Sequence, residues 1–282
     1  MVVESILAPL RAEKQPWNMF FLGILYSSMG ALLSLWIFQK NASLVMVFLT
    51  VLACVPFMYN TLRLEEEKDA ETNEERVLLK EHGRALRAFM WLFIGMTLSY
   101  MLWYVFLPAS LTQSLFNIQT ETIVSINNNV TGNATSLNIL LRIFLNNIKV
   151  LAFCMLFAFL YGAGAIFVLT WNASVIGTAM GNFVRTHLIS AANLIGFYKV
   201  ASYFQVFSLS ILRYAIHGIP EILAYFVAGL AGGIISVEVV NHDVFTAKFE
   251  RIVFDSSTLL VMALILLLVA AALEVYVTPL LF

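Results

Sequence analysis

Apolar residues run along this chain in blocks of about 20, the length a helix needs to cross roughly 30 Å of hydrocarbon. Four blocks are clear, at 17–38, 43–60, 86–107 and 147–170, and two more follow near 219–237 and 257–278. Between them lies 186–216, apolar enough to cross but holding Gly196, Lys199 and several serines. That mixture predicts a seventh, broken span or a pair of half-helices that enter and leave by the same face. The expected fold is therefore all-α: a polytopic transmembrane helical bundle of six or seven spans, with a broken or re-entrant segment around 186–216.

The polar blocks set the organisation. A 16-residue polar lead precedes the first span without an A-x-A cleavage site, which reads as an uncleaved signal anchor. Residues 1–61 then form an N-terminal pair of transmembrane helices, 62–87 a charged cytoplasmic helical loop, and 88–282 the main membrane domain with an external loop at 108–141. The loop 62–87 carries 14 of the 33 charges. It predicts a solvated hairpin or helical extensions of its neighbours, and a docking surface for a cytosolic partner is the sharper reading. The loop 108–141 has no Lys or Arg and holds two glycosylation sequons, at Asn129 and Asn133, which suit an external face. Its stretch Thr120–Ile126 is β-prone and predicts a short ordered cap. With the N-terminus inside and 186–216 crossing once, the cytoplasmic segments hold eleven Lys and Arg, among them Arg185, against Lys40, Arg142 and Arg213 outside. This predicts seven spans, with the N-terminus cytoplasmic and the C-terminus external, in a cell membrane.

Composition narrows the function. Only 12% of the 282 residues are charged and mean hydropathy is +0.87, whereas a soluble domain carries roughly 25% charged residues. Membrane lipids are therefore the expected surroundings. A net charge of −1 and the lack of a basic stripe argue against a nucleic-acid partner. Cys54 and Cys154 fall in spans at different depths and read as small buried hydrophobes, not a disulfide. No metal, cofactor or catalytic pattern is present, since G-x-S-x-G, H-E-x-x-H, C-x-x-C and a nucleotide loop are all missing.

Ionisable side chains in hydrocarbon each cost roughly 2.5–3.5 kcal/mol or more, so those that persist face a partner or water. The seven-span topology brings several to one side. Asn147 and Lys149 open the fourth span, Arg213, His217 and Glu221 lie at the start of the sixth, and Glu274 ends the seventh. In HGIPEILAYF, residues 217–226, Gly218 and Pro220 predict a chain break followed by a helix start, with Glu221 in the first turn. Glu221 and Tyr225 would share a face, and His217 could pair with Glu221. A polar clamp that pins helix ends is the plainest reading, and a proton or ligand site the sharper one. Gly162, Gly177, Gly181, Gly229 and Gly233 predict close helix packing, within one protomer or across a homo-oligomer seam. Asn172, with Gly177 and Gly181, predicts a turn at the cytoplasmic end of span four.

The order of these features resembles the stage II sporulation protein M family over roughly 86–282. The residues that carry it are Asn147-Ile-Lys-Val, Gly162, Asn172 with Gly177, His217-Gly-Ile-Pro-Glu221, Gly229, Gly232-Gly233 and Glu274-Val-Tyr-Val-Thr-Pro279. Asn172-Ala stands where the family usually shows Asn-Gly. The resemblance implies that Asn147, His217, Glu221 and Glu274 form one site. In spore-forming bacteria such proteins anchor cell-wall hydrolases at the membrane, but relatives occur where neither spores nor that wall exist, so the role does not transfer by itself. The expectation is a non-enzymatic scaffold or assembly factor that docks an extracytoplasmic protein partner or organises lipid at the outer face. The alternative is a small-solute or ion permease that uses 186–216.

Overall fold

The computed structural model describes residues 9–71, 75–130, 136–161, 165–190, 197–240 and 246–281. Helix is the only regular structure among them, as befits a backbone that must satisfy its hydrogen bonds away from water. In chain order the helices are α1 (Pro9–Lys14), α2 (Asn18–Ile37), α3 (Ala42–Glu71), α4 (Glu75–Phe106), α5 (Ala109–Val130), α6 (Ser136–Tyr161), α7 (Ala165–Ser190), α8 (Phe197–Val240), α9 (Ala247–Ala272) and α10 (Thr278–Leu281). A short 3-10 turn, Gln39–Asn41, joins α2 to α3, and a π-helical turn, Leu273–Val277, joins α9 to α10.

Six of these, α2, α3, α4, α6, α8 and α9, are long and apolar enough to cross a membrane. Their outward faces are belts of exposed apolar side chains, such as Phe21, Leu25 and Leu32 on α2 and Val261, Ile265 and Leu268 on α9. A surface of this kind belongs in lipid, not water, so the chain is a membrane protein. α8 is the innermost: 78% of its apolar window is buried, against 22% for α6 and 28% for α9, the helices that flank it. α4 packs between α2 and α7.

Side-chain levels give the direction of each helix. Gly177 and Gly181 of α7 lie against Tyr100 and Tyr104 of α4, so these two run the same way. Gly229 and Gly233 of α8 lie against Met58 and Leu62 of α3, so these two run together as well. Phe226 stacks on Phe89 of α4 with centroids 5.3 Å apart. One end of the bundle therefore holds the α3–α4 junction and the C-terminal end of α8; it is called the charged end below. Helices α2, α3, α4, α6, α7, α8 and α9 traverse the bundle in turn, which leaves the two ends of the described chain at opposite ends of the bundle.

Several expectations need correction. The fourth and fifth traversals are α6 and α7, not 147–170 and 186–216. Residues 186–190 end α7, 197–216 begin α8, and 191–196 lie outside the described residues. α7 escaped notice because it is the least apolar traverse: it carries Thr170, Ser174 and Thr178, all buried against neighbouring helices and not facing lipid. Asn172 sits inside α7 and donates its amide to Val168 O at 2.8 Å, so it makes no turn. Gly177 and Gly181 are packing glycines, as are Gly229 and Gly233; Gly162 is outside the described residues. No break occurs at Pro220, which α8 passes without interruption. Proline removes one amide bond, and packed neighbours tolerate that inside a membrane bundle.

The β-prone stretch at 120–126 is helical. Its helix, α5, kinks at Phe116 and buries Thr112, Leu115, Phe116 and Gln119 ahead of that stretch, while the hydroxyls of Thr120 and Thr122 donate back to Phe116 O and Ile118 O within the helix. Gln119 Oε1 accepts from Ser43 Oγ at 2.5 Å and its Nε2 donates to Ser174 Oγ at 3.2 Å, which seats α5 across α3 and α7 at the far end. Asn129 lies in the last turn of α5, and Asn133 lies outside the described residues.

Candidate functional site

Three elements converge on one polar cluster. α6 supplies Asn147, α8 supplies His217, Glu221 and Tyr225, and the π turn with α10 supplies Glu274 and Thr278. Tyr225, one turn on from Glu221, donates its hydroxyl to Glu221 Oε1 at 2.8 Å. Asn147 is 6% exposed and its amide faces the same carboxyl. The Asn147 nitrogen is aimed at that group without closing a hydrogen bond among the described residues. Glu274 stands within electrostatic reach of both Glu221 and Tyr225.

The π turn places Glu274. The amide of Thr278 reaches back five residues to Leu273 O, and Thr278 Oγ1 donates to the same oxygen at 3.1 Å. π turns widen a helix locally and often accompany functional sites. With the hydroxyl proton of Thr278 committed to Leu273, the contact to His217 Nδ1 at 3.3 Å has His217 as donor. His217 therefore pairs with Thr278 and not with Glu221, as the sequence suggested. The C-terminal end of the π turn is thus tied to α8 through Thr278.

The cluster is deeper than expected. Phe226 is level with Phe89 and Phe93 of α4. Five residues earlier, Glu221 lies about 7 Å nearer the far end, which leaves about 15 Å of α4 beyond it at 1.5 Å per residue. This is close to half the thickness of a hydrocarbon slab, well below any headgroup. The sequence placed Glu221 at an interface because Pro220 looked like a helix start. Lys149 is exposed, and Arg213 lies a turn before His217 with its guanidinium 5.6 Å from the Phe183 ring. Neither joins the acid cluster. Among the described residues no three His, Cys, Asp or Glu side chains form a metal set.

A family model described as stage II sporulation protein M matches residues 88–279. The chain belongs to that family. The match runs from within α4 to the start of α10 and so includes the whole polar cluster, while α1 to α3 precede it. No curated protein and no solved structure matches the chain. Within this family member, the residues that signalled the resemblance divide by role: Asn147, His217, Glu221 and Glu274 gather, Gly177, Gly229 and Gly233 pack helices, and Asn172 bonds back within its own helix.

Two further polar constellations escaped the sequence reading. Arg185 caps α4 from α7: its guanidinium donates to Leu107 O at 2.9 Å, Thr112 Oγ1 at 3.2 Å and Tyr104 O at 3.4 Å. Those carbonyls lie at a helix C-terminus, where the last carbonyls lack intrahelical partners and favour a cation; Leu107 O also accepts from Thr112 Oγ1 at 3.2 Å. Arg185 is thus at the far end, opposite the side predicted for it. The second lies at the charged end. There Lys68 Nζ bridges Glu13 at 2.7 Å and Glu65 at 2.6 Å, and His82 Nδ1 meets Glu65 Oε2 at 2.6 Å. Glu65 is 0% and His82 2% exposed, so this part of 62–87 is a packed junction of α1, α3 and α4, not a solvated surface. Burial pushes the Glu13 carboxyl above its usual range, against the pull of Lys68.

Proposed function

We propose that this protein is a non-enzymatic membrane scaffold that docks an extracytoplasmic protein partner at its far end, with the charged end in the cytoplasm. The observation that carries this reading is the length of α8. Its 44 residues measure about 66 Å at 1.5 Å per residue, roughly twice the hydrocarbon thickness. Ser210 donates to Met180 O at 3.1 Å, and Met180 adjoins Gly181, which is packed on Tyr104 near the end of α4. Residues 197–209 therefore extend about 20 Å past the end of α4. This arm carries exposed Tyr198 and Phe204, 77% and 76% accessible, aromatic side chains of the kind that anchor protein interfaces. The polar cluster then serves as the clamp that holds α6, α8 and the π turn in register beneath the arm.

The test is site-specific photo-crosslinking from Tyr198 and Phe204 in native membranes, with Leu268 on the lipid-facing side of α9 as control. The expected result is one common protein adduct from the arm and none from Leu268. A second reading, a permease, is favoured by the two part-buried carboxyls in the bundle, Glu221 and Glu274, since such groups often mark ion paths. Proteoliposomes of purified protein that conduct ions or solute, with loss of flux in Glu221→Gln, would establish it and displace the scaffold.

A further inference from the structure

We propose that an apolar crevice between α4, α7 and α8 holds one acyl chain of an anionic phospholipid, with the headgroup on Arg213. This goes beyond the docking reading, since the crevice lies in the wall of the bundle and not on the arm. Its volume is about 240 Å³, and Thr97 and Tyr214 are the polar residues among side chains that are otherwise apolar. At roughly 30 Å³ per water-sized group, that space takes a run of about eight methylenes. The wall from Met90 to Leu98 on α4 and the wall from Ile211 to Ile219 on α8 each rise about 12 Å along the helix axes and meet near the level of Leu98 and Ile219, so the crevice runs along the bundle axis toward the far end. One leaflet is half of roughly 30 Å deep, so either wall is long enough to line most of a single chain.

The opening faces outward. Ile94, Ile211 and Ile219 at the rim are all exposed, so the space is continuous with whatever surrounds the bundle. At its far end stands Arg213, next to the lining residue Tyr214. The Arg213 guanidinium lies over Phe183, whose ring stacks on His187 with centroids 4.0 Å apart. Among the described residues no carboxylate pairs with Arg213. Its level is that of Arg185 and the end of α4, where a headgroup belongs. A phosphate there would meet a guanidinium whose planar donors suit it.

Gly218 makes the idea testable, because a Cβ built on it meets nothing within 4 Å. The experiment is native mass spectrometry of the full chain released from bilayers of equal phosphatidylglycerol and phosphatidylcholine. Gly218→Leu, which fills the crevice, is expected to retain one lipid fewer per chain, and Gly218→Ala to weaken retention in the same direction. Gly83→Leu, also in open space, should match the wild type. Arg213→Gln should keep a lipid but lose about fivefold of its preference for phosphatidylglycerol, the worth of one basic side chain at an anionic surface. Unchanged retention in Gly218→Leu, an undiminished headgroup preference in Arg213→Gln, or a dimer that Gly218→Leu dissociates would each overturn the proposal. Crosslinks from Phe204 report on the partner and retained lipid on the crevice, so either reading can fail alone.

Discussion

Among the described residues, the hydroxyl of Tyr225 is the donor that closes a hydrogen bond on Glu221 from within its own helix. Its removal in Tyr225→Phe leaves the part-buried carboxyl short of a partner about midway along the bundle. Intramembrane hydrogen bonds are worth roughly 0.6 to 1.7 kcal/mol, so this variant should unfold with a loss of about 1 kcal/mol in a detergent-based denaturation series. A second side chain sets a larger effect. Arg185→Leu takes the guanidinium from the carbonyls of Tyr104 and Leu107 and from the Thr112 hydroxyl, leaving Leu107 O with Thr112 Oγ1 alone, which should speed amide exchange across 104–112 while α2 and α3 stay protected. Such chemistry was only partly legible in the sequence. His217, Glu221 and Glu274 stand out because ionisable residues are rare in apolar runs, and spacing alone paired Glu221 with Tyr225. Glu65 and His82 did not stand out, since in a run with 14 charges nothing marks which of them turn inward.

Among the helices, close approach is written in glycines, but a lone glycine carries no pattern. Gly177, Gly181, Gly229 and Gly233 show themselves by their spacing of four. Gly23 and Gly95 do not, yet they bring α2 and α4 together backbone to backbone: a Cβ on Gly95 would strike the Phe20 carbonyl, and one on Gly23 the Leu92 carbonyl. Gly95→Ala should therefore destabilise the protein and part these helices. Gly218→Ala, in open space within α8, should stabilise it by about 0.4–1 kcal/mol, the usual gain for that exchange in a helix. Both are read by thermal unfolding of purified protein. The junction of α1, α3 and α4 responds differently. Lys68→Met leaves Glu13 and Glu65 buried without their shared cation, and breaking a buried pair in this way costs about 3–5 kcal/mol. Six of the traverses were legible because length and hydropathy report them; α7 was not, because it carries polar side chains that it hides from lipid, and the segment 186–216 read in its place is the end of α7 and the start of α8.

At the scale of the whole molecule, the odd number of traverses sends the two ends of the chain to opposite sides. Arg11, Lys14, Arg63, Lys68, Arg76, Lys80, Arg84, Arg87, Lys248 and Arg251 lie with the charged end, and Lys40, Arg142, Lys149, Arg185, Lys199 and Arg213 lie toward the other. Arg185 has changed sides relative to the sequence expectation, yet the excess that remains at the charged end supports the proposal that this end is cytoplasmic. On intact cells, a C-terminal epitope should be open to antibody and an N-terminal one closed until the cells are permeabilised.

The helix that bears Glu221 is also the rod that emerges at the far end. A load taken up at Phe204 is carried by one unbroken helix to Pro220, where a missing amide bond makes the rod easiest to bend. Beyond that fulcrum sit the two carboxyls and the ring of Tyr225. Pushing on the arm is therefore mechanically the same act as prising the acid pair apart.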